Sequence, residues 1–102
     1  MSDLLNIEGI IKLVEQQEPD RGDLVIALQN CKNGQWTSNG YYQFVDSKNA
    51  NQIGSKWQFD ENIVLEQENK GDIVLDILKD GSIGGIEFID LIDKWHKDVK
   101  NF

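Results

Sequence analysis

GDIVLDILKDGSIGGIEF, residues 71 to 88, is the stretch on which the fold turns. Ile73, Leu75 and Ile77 are spaced two apart, so in an extended chain they share one face. Asp80-Gly81 then supplies a hairpin signal. Beyond it Ile83, Ile86 and Phe88 form a final strand, and Gly84-Gly85 within that strand predict a bend.

Working outward, strand signals continue upstream. Ile63 and Leu65 alternate, Trp57 and Phe59 precede them, and Glu66 to Lys70 turn the chain at Gly71. Tyr42 and Phe44 alternate with Gln43 and Val45. Between these runs, Asp46 to Lys56 carries one sizeable apolar side chain, Ile53, which predicts a long surface loop. Leu24 to Leu28 is a short apolar run read as a strand, with Asn33-Gly34 and Asn39-Gly40 as turns after it.

Both ends change to helical spacing. Leu4, Ile7, Ile11 and Val14 make one stripe, widened by Ile10 and Leu13, with Ser2 or Asp3 as the cap and Pro19 as the stop. Gly9 inside that helix costs about 1 kcal/mol relative to Ala. Phe88, Ile92, Trp95 and Val99 repeat the pattern at the other end, with Asp90 as cap. The expected architecture is one α+β domain over residues 1–102, an antiparallel meander of five or six strands with an N-terminal and a C-terminal helix packed on one face.

Composition narrows the function. The 102 residues carry ten Lys and Arg against eighteen Asp and Glu, a net charge of −8. Phosphate contacts need a basic patch to release counterions, so nucleic acid and anionic membrane are excluded as expected partners. The opening MSDLLNIEGIIKLVEQQEPD has acids early and no long apolar stretch, so neither a secretory signal nor a membrane span is expected. One cysteine, Cys31, has no internal disulfide partner and points to the cytoplasm.

Residues Asp76 to Glu87, DILKDGSIGGIE, resemble the calcium loop of the EF-hand family: Asp76 at the first ligand position, Asp80 at the fifth, Gly81 at the sharp turn, Ile83 at the eighth and Glu87 at the twelfth. Leu78 breaks the pattern, for it offers no oxygen at the third position, and the residues before Asp76 read as strand rather than helix. A hairpin is therefore expected in place of a calcium site. The same segment resembles a small uncharacterised bacterial family whose hairpin ends in a Gly-Ile-Glu strand, matched here by Leu75, Asp76, Asp80, Gly81, Ile83, Gly85, Ile86 and Glu87. That resemblance implies the strand pairing and no activity.

No cofactor or metal is expected. His96 is the single histidine, beside Trp95 in the terminal helix, and it could pair with Cys31 as a nucleophilic dyad only if the fold joined them. One Cys and one His show no zinc spacing. Paired carboxylates such as Asp60-Glu61 are what a chain of this charge must show, and solvated strand edges account for them. A small enzyme or ligand-binding protein built on Cys31, His96 or the Asp76-to-Glu87 carboxylates, or a degenerate calcium-binding loop, is the alternative class.

The leading expectation is a protein-binding module. In size, acidity and single-domain build the chain resembles bacterial immunity proteins, small acidic inhibitors of secreted toxins. The resemblance implies a basic partner such as a nuclease toxin domain, neutralised by direct contact. Acids cluster at Asp60, Glu61, Glu66 and Glu68, with Asp72 across the adjoining turn, and Trp36 is the aromatic expected to stand exposed as an anchor.

Overall fold

The computed structural model describes residues 6–32, 34–38, 40–67 and 71–89. Helix α1 spans Ile7–Gln17 and α2 spans Gly22–Gln29; strands follow as β1 Gln35–Ser38, β2 Tyr41–Gln43, β3 Phe59–Leu65, β4 Ile73–Leu78 and β5 Ile83–Phe88. All pairings are antiparallel, and the strands lie in the order β1-β2-β5-β4-β3. The α+β class and the five-stranded antiparallel sheet are as expected. β3, β4 and β5 form a true meander, while β2 sits beside β5, so residues 44–58 carry the chain from one side of the sheet to the other.

The hairpin at residues 71–88 forms as its spacing requires. Gly81 turns it with φ of 88°, the left-handed region where a side chain would be strained. Asp80 accepts hydrogen bonds from the Ser82 backbone at 2.9 Å and the Ser82 hydroxyl at 2.6 Å. Register between β4 and β5 shifts where Asp76 faces Gly85 and Ile77 faces Ile83, which leaves Gly84 as an extra residue, the bend foreseen for the glycine pair.

Residues directly opposite across a strand pair share a face. One row therefore crosses all five strands: Ile63, Leu75, Ile86, Tyr42 and Trp36. This face is covered by the helices. Ile10 and Val14 of α1 and Leu24 and Leu28 of α2 pack with Leu65, Ile73, Leu75, Ile77, Ile83 and Ile86 in one core cluster. Burial of these side chains, at about 1.5–3 kcal/mol each, is the main favourable term holding helices to sheet.

Two expectations about local structure change. Leu24 to Leu28 is helical, not extended. Leu24 and Leu28, four apart, are both buried, whereas Ile26 between them is 60% exposed. A run of five apolar residues has no readable period, so helix and strand look alike in sequence; here Leu, Ala and Gln favour helix, and Asp23 sits in its first turn. The cap of α1 is Asn6, whose side chain accepts the Gly9 N–H at 3.0 Å. A methyl group at Gly9 would come within 2.7 Å of the Asn6 amide, so the glycine makes room for its own cap.

Gly40 lies in the turn between β1 and β2, at φ of 91°. Gly34 leads directly into β1, and Asn33 and Asn39 lie outside the described residues. The C-terminal helix read from Ile92, Trp95 and Val99, with Asp90 and His96, lies outside the described residues, as do Ser2 and Asp3.

Candidate functional site

The α1–α2 corner lies alongside the edge strand β3, and two side chains hold it there. Gln17, the last residue of α1, donates from Nε2 to the Glu66 carbonyl at 2.6 Å and accepts the Glu66 N–H on Oε1 at 2.7 Å. That two-way bond fixes one end. At the other, Arg21 donates from Nε and Nη2 to the two Asp23 carboxylate oxygens, both at 3.0 Å, and from Nη2 to Glu61 Oε1 at 2.6 Å. Glu61 faces Ile77, on the helix side of the sheet, which is why a helix-corner arginine can reach it.

The consequence is a strip of carboxylates. Glu18, Asp20 and Asp23 from the corner run beside Asp60, Glu61 and Glu66 of the strand, and Asp20, Asp23, Asp60 and Glu66 are exposed. From Asp60 to Glu66 is ~20 Å at strand rise. Both ion pairs found among the described residues use Arg21. Its contact with Asp23, then Glu61, keeps the guanidinium charged and holds the Asp23 carboxyl below the usual range. One cation is thus set among six acids.

Of the residues expected to form a binding face, Asp60, Glu61 and Glu66 lie along this strip. Asp72 is exposed just before β4, near the Glu66 end, and its carbonyl accepts the Ile89 N–H at 3.0 Å. Glu68 lies outside the described residues. Trp36 is on β1, at the opposite sheet edge, four strand spacings or ~19 Å from β3. It is half-buried rather than exposed, edge-on to Tyr42 at 5.2 Å and tilted against Phe88 at 5.4 Å. The row it closes is the core row, so alternation along β1 turns it inward. It does not share a surface with the acids.

Glu18, Asp20 and Asp23 were missing from the expected face. Their signal was the helical reading of Leu24 to Leu28, since only a helix corner brings residues 17–23 back against β3. Gln17 for Ala should cost about 1 kcal/mol, because it removes both bonds to Glu66, and chemical denaturation would read the loss. A loss indistinguishable from zero would mean that the corner is held by the core alone.

The sheet face away from the helices carries a second group of carboxylates. Asp76 on β4 is 5% exposed and accepts the Tyr41 hydroxyl at 2.9 Å. Tyr41 starts from β2 and lies across Gly85 of β5 to get there; a methyl group at Gly85 would meet its hydroxyl at 2.6 Å. Burial, then the Glu87 carboxyl beside it, pushes Asp76 up to about 7. Burial and the Asp76 charge also push the Tyr41 phenol up.

These contacts settle the geometry of the calcium-like segment. Asp76 points into the Tyr41–Glu87 group from a strand, and Asp80 closes the hairpin turn, so the two do not converge as loop ligands. Among the described residues no group of three or more His, Cys, Asp or Glu is placed to hold a metal. Cys31 is half-buried, donates to the Ala27 carbonyl at 3.4 Å, and is pushed up to about 11 by burial, which disfavours the thiolate. No described helix is long and apolar enough to cross a membrane. Compared with family models, curated proteins and solved structures, the chain has no significant match.

Proposed function

We propose that this protein works by binding a basic protein, and that the acidic strip between the α1–α2 corner and β3 is the face it presents. The single observation that carries the reading is the strip itself: six carboxylates along the corner and β3, with the corner tied to the strand main chain by Gln17 and two of the acids, Asp23 and Glu61, paired with Arg21. Such a surface steers a cationic partner into register and speeds its association. The net charge of −8 extends the same field over the molecule.

The class of partner we favour is a basic toxin domain such as a nuclease, neutralised in the cytoplasm by direct contact. That is what the resemblance to immunity proteins implies, and it suits a small acidic chain whose one cysteine is unpaired. Competing chemistry at Cys31 has less support, since its thiol is held protonated by burial.

Surface plasmon resonance against a panel of small basic nucleases tests the reading. Binding should be fast at low salt and slow down as salt is added. Reversing Asp20 and Glu66 to Lys should lower the association rate about tenfold or more and flatten its salt dependence, since both are exposed and outside the Arg21 pairs. Stability should change by less than about 0.5 kcal/mol. An unchanged association rate in a folded double variant would remove this face, and a panel with no salt-sensitive binder would count against a basic partner.

A further inference from the structure

Beside the strip lies a concave surface that the fold does not fill. A cleft of about 500 Å³ opens between α2 and the β4–β5 turn, with apolar walls from Ile26, Ala27, Phe44, Val45 and Ile83. This is within the range of ligand clefts, about 300–1,000 Å³. Ile26 stands on its lip 60% exposed, an apolar side chain that the core does not use. Asp23 borders the cleft from the α2 side and Asp80 from the turn, with Lys32 as the one lining cation against them. Asp23 is also part of the acidic strip through Arg21, so the two surfaces are continuous.

We propose that this cleft is the anchor pocket of the same partner, taking one large apolar side chain that the partner carries between basic residues. The occupant follows from the lining. Apolar walls call for an aromatic or leucine-sized side chain, while carboxylates on both walls call for Lys or Arg flanking it. Both carboxylates are held in the charged form, Asp23 by Arg21 and Asp80 by the Ser82 hydroxyl and backbone. Fully desolvated anchors of this kind set dissociation rates, whereas exposed charges set association rates, so strip and cleft divide the work.

The inference rests on the basic-partner reading, and three capped hexapeptides separate the two. Lys-Lys-Trp-Leu-Lys-Lys should bind at least tenfold more tightly than Lys-Lys-Gly-Ser-Lys-Lys and than Glu-Glu-Trp-Leu-Glu-Glu, by NMR titration of the full chain. Shifts from the first should fall on Ile26, Ala27, Gly81 and Ile83. Ile26→Ser, which removes the exposed lip, should bring the first peptide down to the second. Asn30→Trp, at the C-cap of α2 and also at the cleft, should do the same by occlusion. If Lys-Lys-Gly-Ser-Lys-Lys binds equally well, with shifts on Glu61 and Glu66 alone, the cleft has no anchor role while the basic-partner reading stands. If only the Glu-flanked peptide binds, or none binds, both readings fall.

Discussion

Replacing Asp76 with Asn should stabilise the protein above pH 7 by about 2–4 kcal/mol and remove most of its pH dependence between pH 4 and 7. Asp76 is nearly inaccessible and sits with Tyr41 and Glu87 on the sheet face away from the helices. Burial and the Glu87 carboxyl raise it from 3.8 to about 7 in the folded state. Between those values the native protein holds a proton that the unfolded chain releases. The native state binds more protons, so stability is greatest near pH 4 and falls as pH rises toward 7.

Asn keeps the shape and the acceptor for the Tyr41 hydroxyl, and it gives Glu87 an amide donor in place of a second acid. The facing groups on this side are Tyr41 and Gln43 from β2, Gly85 and Glu87 from β5, and Asn62 from β3, so Glu87 is the charge that opposes Asp76 from a neighbouring strand. Because the Glu87 carboxyl is one of the causes that raise Asp76, Glu87→Gln should flatten the profile too. Urea midpoints at pH 5 and pH 8 decide the matter. Equal wild-type stability at the two values, or an Asn variant weaker than wild type at pH 8, would show that Asp76 is not raised in the fold.

The largest loss should come from Trp57→Ala, about 3–5 kcal/mol. Trp57 is 6% exposed and closes the long crossing segment against the sheet. Its ring lies over Gly84, the extra residue of the β5 bulge, so that a methyl group there would stand 2.7 Å from the indole and 2.9 Å from Leu78. Gly84→Ala alone should therefore cost about 1–3 kcal/mol through overpacking. The informative variant is the pair. Once the indole is gone only the end of the Leu78 side chain still crowds the methyl group, so the double variant should be more stable than the sum of the two losses predicts, by about 1 kcal/mol or more. Additive losses in denaturant titrations would mean that Gly84 is required by Leu78 or the backbone and not by the ring above it.

The strand signals legible in the sequence were those with alternation and a turn residue together. Ile73, Leu75 and Ile77 with Asp80-Gly81 formed the hairpin as read, because a period of two is unambiguous over six residues and a positive-φ glycine stops it. The stripe from Ile7 to Val14 likewise became α1. Composition also set the acidity of the surface, and Asp60, Glu61 and Glu66 could be singled out as neighbours along one strand.

What only tertiary structure decided has one physical root, that long-range pairing is not encoded in local spacing. Leu24 to Leu28 became a helix because its Leu pair found the core from one helical face, and that choice brought Glu18, Asp20 and Asp23 beside β3. Trp36 turned inward because β1 joins the sheet beyond β2, where the cross-strand row from Ile63 to Tyr42 needs a fifth member. Asp76 read as a ligand or a polar strand position in isolation. Its burial follows from β2 lying beside β5 rather than β3, which lets Tyr41 reach across Gly85 to cover it. Local sequence determined the elements and the charge; the order in which the strands paired decided which of those charges face a partner and which face each other.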